Sequence, residues 1–220
     1  MKEECRKILD ETSERFPDLK MIEKEIEQAF KILKGSFEKS GRLYLCGNGG
    51  SASDCEHIAG ELLKSFKMQR PIKKAYQADL SDYGEEGNVL AENLECGLPA
   101  ISLCGHPAFS TAFSNDINPY FVFAQQVNVF GCEGDALLAI STSGNSKNCV
   151  YAAIAAKAKK MKVIFLGGGN GGKLKELADV SIIVPEHETY KVQELHLPVY
   201  HCLCAMLERY FFGDESKDEN

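Results

Sequence analysis

The spacing of hydrophobic residues in the first forty positions predicts helices. Apolar residues recur every three or four positions, at Leu19, Ile22, Ile26, Phe30 and Leu33. This spacing places them on one face of a helix within residues 2–34, with a break expected at Pro17. We therefore predict N-terminal helices over residues 1–40, packed either on the rest of the domain or against another subunit.

After residue 42 the pattern changes to short apolar runs separated by helical stretches. The runs cover residues 43–46, 100–104, 136–140, 163–166 and 180–184. Such runs suit strands buried on both faces of a parallel sheet. Helices are predicted at 53–66, 109–115, 121–130, 146–160, 172–178 and 191–212. This alternation predicts an α/β fold, a three-layer α/β/α sandwich around a parallel sheet of about five strands.

Two segments depart from the alternation. Residues 69–99 contain prolines, glycines and several acidic residues, and are predicted to be an inserted irregular segment with a short helix near 88–96. The last residues, 213–220 (GDESKDEN), are predicted to form a frayed tail. The 220 residues suit one substantial core, so we expect a single domain over residues 1–220.

Composition narrows the classes of partner. A net charge of −7 argues against a nucleic-acid-binding surface, which needs clustered Lys and Arg. No apolar run approaches the ~20 residues of a membrane span, and the charged N-terminus lacks a signal core. The nine cysteines show no paired CxxC pattern, and several lie in apolar runs, which indicates reduced thiols. We expect a cytoplasmic protein with neither a membrane nor a nucleic-acid partner.

Two loops that follow predicted strands are candidates for binding an anion. Residues 47–54 read GNGGSASD, and residues 141–146 read STSGNS. Glycines let the backbone approach a ligand closely, and a helix N-terminus offers free N–H groups to a phosphate. Neither loop matches the dinucleotide or P-loop pattern. Each alone also suits a tight turn or a helix cap, but both follow strand ends, where ligands bind in open parallel sheets.

Two predicted helices carry residues able to bind a metal or move protons. His57 and Glu61 are one helical turn apart. Gln193 and His201 lie eight residues apart, about 80° around the last helix. Two nitrogens and two oxygens form a donor set that suits zinc, although any one of these residues alone would be more typical of a surface or core position. We interpret His196, Cys202 and Cys204 as packing residues.

The motifs GNGGSASDCEHIAGEL, ISTSGNSKNCVYAA and VQELHLPVYH resemble those of the SIS (sugar isomerase) domain, and specifically those of the phosphoheptose isomerase family. The resemblance covers nearly the whole chain and implies a flavodoxin-like SIS domain. It implies conversion of sedoheptulose 7-phosphate to D-glycero-D-manno-heptose 7-phosphate through an enediol. It also implies one zinc ion per active site, and a homotetramer with shared active sites.

The resemblance assigns roles to individual residues. Phosphate would be held by the serine loop, and the sugar contacted by the first loop and the last helix: Ser141, Thr142, Ser143 and Ser146, with Asn48, Gly49, Gly50, Ser51 and Gln193. Glu61 would be the base at carbon, and His201 would move protons at the oxygens. The implied zinc ligands are His57, Glu61, Gln193 and His201. Because a fully ligated side chain cannot shuttle a proton freely, either substrate loosens the coordination or zinc mainly polarises the sugar oxygens.

Three departures from the family leave the identity of the sugar open. The 69–99 segment is long, His106 and its neighbours stand where many members have Asp or Thr, and Tyr190 precedes Lys191 where relatives have a polar residue before Arg. His106 is interpreted as a turn residue or a substitute polar contact. The alternatives are an isomerase of another sugar phosphate, or a non-catalytic phosphosugar-binding regulator that contacts an initiator protein. Retention of all four candidate metal and proton-transfer residues favours catalysis.

Overall fold

A computed structural model, which describes residues 1–213, contains one five-stranded parallel sheet. The strands are β1 (Leu43–Cys46), β2 (Ala100–Ser102), β3 (Ala136–Ser141), β4 (Lys162–Gly167) and β5 (Val180–Ile183). Their order across the sheet is β2-β1-β3-β4-β5, so β2 and β5 form the edges. Every pairing is parallel, which confirms the predicted sheet.

Helices connect the strands and cover both faces of the sheet. The α-helices are α1 (Glu3–Arg15), α2 (Glu23–Phe37), α3 (Gly50–Leu63), α4 (Lys74–Ser81), α5 (Gly84–Asn93), α6 (Pro107–Asp116), α7 (Val122–Phe130), α8 (Lys147–Ala158), α9 (Gly172–Leu177) and α10 (Thr189–Phe212). Short 3-10 helices occupy Pro17–Ile22 and Pro119–Phe121. Among the helices of residues 1–213, none combines the length and apolarity needed to cross a bilayer.

Alternate residues of each strand supply two separate cores. Leu45 and Leu138 pack with α1, α2, α3 and α10 on one face, whereas Tyr44 and Leu137 pack with α7 and α8 on the other. Side chains alternate in this way because successive residues of a strand point to opposite faces. The two cores confirm the three-layer arrangement.

The predicted N-terminal helical face is buried within the chain itself. Leu19 and Ile26 are fully buried, and Phe30 and Leu33 are nearly so. The break at Pro17 is present as the 3-10 helix between α1 and α2. This apolar face therefore packs on the domain, which resolves the two alternatives left by the sequence.

The prediction for residues 69–99 is only partly right: α5 corresponds to the short helix predicted near 88–96, but the segment is not otherwise irregular, because α4 precedes it. The segment holds two helices, α4 and α5, whose ends are brought together by an antiparallel bridge between Pro71 and Glu95. No residue of α4 is buried, so its sequence carries no apolar periodicity that could have revealed a helix. The predicted frayed tail, apart from Gly213, lies outside the described residues.

Candidate active site

The two predicted loops meet at the carboxyl end of the sheet. Strands β1 and β3 are neighbours with Cys46 opposite Ala139, so the segments that follow them lie side by side. The side-chain amides of Asn48 and Asn148 join these segments. Each donates one hydrogen bond to the other, with N–O distances of 2.9 and 2.7 Å. Asn148 was not predicted, because only the adjacency of the strands brings it to Asn48.

The serine loop has an internal structure that exposes one hydroxyl. Ser141 and Ser146 face each other with their Oγ atoms 3.0 Å apart, whereas the Ser143 side chain is exposed. Gly144 has a φ of +67°, and a β-carbon there would lie 1.9 Å from the carbonyl oxygen of Gly171. Only glycine fits this position, and the close approach fixes the loop against the segment that follows β4.

A cavity of about 470 Å³ opens beside this loop. It is lined by Thr142, Ser143, Asn145, Gly168, Gly169, Asn170, His187 and Thr189. No Lys or Arg lines it, but it lies next to the N-termini of α8 and α10, which favour an anion. The β4 loop and His187 were not among the residues predicted to bind phosphate. The glycine-rich run GGGNGG after the fourth strand was the available signal for that loop.

The predicted substrate contacts in the glycine loop after β1 differ from one another in their exposure to solvent. Asn48, Gly49 and Gly50 are exposed, whereas Ser51 is buried beneath the loop. The φ of Gly49 is +55°, which glycine adopts without strain. Gln193 of α10 lies against Gly50, since a β-carbon on Gly50 would fall 2.4 Å from its Nε2.

Three of the four candidate metal ligands come together between α3 and α10. His57 Nε2 lies 3.2 Å from Glu61 Oε1 and 3.4 Å from His201 Nε2. Ligands of a tetrahedral zinc ion are roughly 3.3–3.6 Å apart for bonds of about 2.0–2.2 Å, so the donor types suit zinc and these two separations lie near that range. Gln193 is about 12 Å from His201 along α10.

The three side chains do not yet enclose a common point. Within residues 1–213, no three His, Cys, Asp or Glu side chains are placed as ligands around a single ion would be. His57 instead faces Glu61 and His201 directly, as a bridge between the two helices.

Burial affects the pKa of His201, and a hydrogen bond orients His57. Burial and the nearby His57 lower the pKa of His201, with Glu61 acting in the opposite direction. The hydroxyl of Tyr200 lies 3.0 Å from His57 Nδ1, which leaves Nε2 to face Glu61 and His201. Burial raises the pKa of Tyr200, and the neighbouring Asp54 adds to this shift. No sequence pattern pointed to Tyr200.

The residues interpreted as packing residues are buried. Cys202 and Cys204 of α10 lie in the hydrophobic core, which confirms that they are packing residues. All nine cysteines are free thiols. His196 is fully buried, and its Nδ1 lies 4.0 Å from Asp54 Oδ2. Neither ring nitrogen of His196 has a partner with good hydrogen-bond geometry among the described residues, and burial lowers its pKa to about 4, with the nearby Gly167 backbone acting in the opposite direction.

The departures from the family pattern lie on exposed elements. His106 directly precedes Pro107 at the start of α6, and its ring packs 6.3 Å from that of Phe130. Tyr190 is exposed in the first turn of α10, one residue after Thr189 of the cavity.

Comparison with known proteins supports the resemblance seen in the motifs. The SIS domain family matches residues 9–79 and 87–168. The chain is 38% identical over 193 residues to the phosphoheptose isomerase of Helicobacter pylori, covering 88% of each sequence. It is 39% identical over 188 residues to that of Leptospira biflexa, covering 86% of this chain and 85% of the relative.

A solved structure shows the same likeness. Phosphoheptose isomerase GmhA from Neisseria gonorrhoeae superimposes with a TM-score of 0.69 at 30% identity, covering 93% of both chains. The sequence and structure comparisons name the same kind of enzyme over most of the chain. The chain therefore belongs to the SIS-domain family of phosphoheptose isomerases.

Proposed function

We propose that this protein converts sedoheptulose 7-phosphate to D-glycero-D-manno-heptose 7-phosphate by proton transfer through an enediol. The observation that carries the proposal is the contact of Glu61 and His201 with the same nitrogen of His57, from two different helices. A carboxylate and an imidazole are side chains that can supply the general base and the proton shuttle of such an isomerisation. Relatives named phosphoheptose isomerase, 38–39% identical over most of the chain, support the same reaction.

The phosphate of the substrate would bind at the serine loop. Ser143 offers an exposed hydroxyl, and Thr142 and Asn145 line the same cavity. The N-termini of α8 and α10 add favourable partial charge without a cationic side chain. The Asn48 amide, held by Asn148, would contact the sugar hydroxyls next to this site.

Glu61 and His201 would divide the proton transfer. The Glu61 side chain is only 15% exposed, so its carboxylate is partly protected from water. As the base, it would remove the proton from C1 and return it at C2. His201 has a lowered pKa, which keeps its ring neutral near pH 7 and able to accept a proton from one sugar oxygen and deliver it to the other.

Zinc is part of this proposal, with His57, Glu61, Gln193 and His201 as its ligands. When bound, the ion would polarise the sugar oxygens. The separations of His57 from Glu61 and His201 support zinc binding. Elemental analysis of the purified protein should find about one zinc per chain, and His57→Ala should lose most of it. Equal zinc contents in the two proteins would exclude His57 as a ligand.

The assembly proposed is a homotetramer in which neighbouring chains complete each site. Thr189, beside the phosphate cavity, is about 18 Å along α10 from His201. An extended heptulose phosphate spans roughly 10 Å from phosphorus to C1. This difference supports a site shared between chains, as do apolar side chains on the surface such as Ile117 and Val129, which are 64% and 62% exposed. Light scattering after size-exclusion chromatography would give the number of chains.

We also place the protein in the cytoplasm. All nine cysteines are free, and six of them are buried: Cys5, Cys46, Cys55, Cys149, Cys202 and Cys204. Such thiols persist in a reducing compartment. Detection of the protein in the periplasmic or secreted fraction of intact cells would contradict this placement.

The direct test is incubation of the purified, metal-analysed protein with sedoheptulose 7-phosphate, followed by NMR of the aldoheptose phosphate. Turnover by the wild type that is lost in Glu61→Gln would establish the reaction. Absence of turnover in a protein that holds zinc and binds the phosphosugar would indicate another sugar phosphate. Absence of both turnover and metal would favour the regulatory alternative.

A further inference from the structure

A buried ion pair connects the ends of the two helices that carry Glu61 and His201. Arg70 and Glu208 have side chains that are 0% and 1% exposed, and Arg70 donates to Glu208 Oε1 over 2.8 Å. Glu208 lies seven residues after His201, two turns along the same face of α10. Arg70 lies shortly after the end of α3.

Arg70 binds the backbone of Glu61 itself. Its Nη2 donates to the carbonyl oxygen of Glu61 at 3.0 Å, and its Nη1 donates to that of Leu62 at 2.9 Å. Carbonyls in the last turn of a helix have no partner within the helix, and a cation there also interacts favourably with the helix dipole. The guanidinium therefore caps α3 at the turn that holds Glu61.

Glu208 orders the turn that packs on His201. Its two carboxylate oxygens accept hydrogen bonds from the backbone N–H groups of Phe66 and Lys67, at 2.9 and 2.8 Å. The ring of Phe66 in turn lies against the ring of His201, with their centroids 5.4 Å apart. One ion pair thus holds both the backbone of Glu61 and the turn whose Phe66 ring packs on His201.

We propose that Arg70 and Glu208 are positioning residues that set the relative placement of Glu61 and His201 during proton transfer. The inference rests on the proposed function of these two residues. A buried ion pair is weak evidence for stability alone, because apolar residues of similar size often replace one without loss. Here, however, both side chains also bind the backbone next to the proposed reacting groups. Arg70 donates to the carbonyls of residues 61–62, and Glu208 accepts from the N–H groups of residues 66–67.

The test separates positioning from stability with the double variant Arg70→Met/Glu208→Leu. Removing both charges avoids an unpaired buried ion, but four backbone groups at residues 61, 62, 66 and 67 lose a partner, so the melting temperature should fall moderately, to an extent comparable with the control variant described below. The proton-transfer geometry should nevertheless loosen, and kcat should fall roughly 10- to 100-fold with KM changed less than about threefold. Hydrogen exchange at residues 61–67 should accelerate, a readout that does not depend on turnover.

Two further variants make the result decisive. Arg70→Lys keeps the charge but lacks the planar fork that reaches Glu208 and both carbonyls, so it should also lose kcat. The matched control is Asp135→Asn. Asp135 is a buried carboxylate that accepts backbone bonds from Arg42 and Cys132 at the opposite end of the sheet. The Asp135→Asn substitution should lower the melting temperature and leave kcat unchanged.

The outcomes are distinct. Wild-type kcat in a stable double variant would overturn the proposal and leave the pair a purely structural role. If the double variant does not fold, the kcat of Arg70→Lys tests the proposal, and a wild-type value would overturn it. A loss of kcat no larger than that of Asp135→Asn at equal loss of melting temperature would equally overturn it. An inactive wild type would instead refute the proposed reaction, and hydrogen exchange at residues 61–67 would still report whether the Arg70–Glu208 pair orders this segment.

Discussion

Asn48 and Asn148 lie one hundred residues apart in the sequence, yet their side-chain amides exchange two hydrogen bonds across the neighbouring ends of β1 and β3. Each amide uses its oxygen and one N–H in the pair, which fixes which way round it is turned. Asn48 Nδ2 also lies 3.8 Å from Cys149 Sγ, so a second contact holds the exposed Asn48 amide beside the segment that follows β3. The orientation of Asn48, a predicted substrate contact, is therefore set by Asn148, which was not predicted to contact the substrate.

The first prediction concerns Asn148→Ala. Loss of both hydrogen bonds frees the Asn48 amide to rotate, at a cost of about 1–2 kcal/mol in substrate binding. KM should rise roughly 5- to 30-fold, with a smaller change in kcat, as measured by steady-state kinetics. Asn115→Ala is the control, because within residues 1–213 the Asn115 side-chain amide donates to the adjacent exposed Asp116 on α6 and to no other residue. Equal KM values in the two variants would show that the amide pair does not orient the site.

The second prediction concerns the exposed hydroxyl of the serine loop. Ser143→Ala should weaken phosphate binding, raising KM by roughly 3- to 10-fold while kcat changes little, because one hydrogen bond is lost far from the reacting carbons. Competitive inhibition by inorganic phosphate should weaken by a similar factor. An unchanged KM together with an unchanged inhibition constant would count against the serine loop as the phosphate site.

The third prediction concerns the proton-transfer residues. Glu61→Gln and His201→Ala should each lower kcat by about 100-fold or more, since general acid–base groups contribute roughly 10²–10⁴-fold. Circular dichroism should show an unchanged fold. Glu56→Gln, at an exposed position of the same helix, is the control for Glu61 and should retain activity. Near-normal turnover in either active-site variant would remove that residue from the mechanism.

The fourth prediction concerns pH and His196. Because burial lowers its pKa to about 4 in the folded state, the unfolded chain binds a proton near pH 6.5 that the folded chain does not. Stability contributed by the neutral ring is complete above pH 6.5 and decreases as the pH falls towards 4. Between pH 7 and 5 the loss should be about 2 kcal/mol, measured by denaturant unfolding at each pH.

His196→Leu provides the comparison for this measurement. The leucine removes two ring nitrogens that have no partner with good hydrogen-bond geometry among the described residues, so stability at pH 7 should not fall by more than about 1 kcal/mol. The acid-dependent loss between pH 7 and 5 should largely disappear. An identical pH dependence in the variant and the wild type would locate the effect in other groups.

The strands and the chemistry were predictable from local sequence, whereas the connections between distant segments were not. Fully apolar runs gave β1 and β3 because both faces of these strands are covered. The Asn48–Asn148 pair depends on which strands are neighbours, and a sequence does not state that order. Arg70 and Glu208 look like surface residues in the sequence, because burial of a charge becomes reasonable only when its partner is known.

Helix α4 was missed because it lacks a hydrophobic signal, whereas α5 overlaps the short helix predicted near 88–96. Helix α4, the first helix of the α4–α5 hairpin, buries no residue, so no hydrophobic pattern distinguishes it from a polar loop. The family match also stops at residue 79 and resumes at residue 87, which leaves the tip of the hairpin without a counterpart.

The position of that hairpin has a consequence for how the chain can be altered. It lies between α3 and the edge strand β2, and the bridge between Pro71 and Glu95 joins the two ends of the segment, so a change of length at its tip does not require β2 to move relative to β1. Loop closure also penalises added residues only slowly. Residues 80–86 are accordingly the natural place to insert a fluorescent label, an affinity tag or a second domain, since the strand ends that bear the two binding loops stay in register.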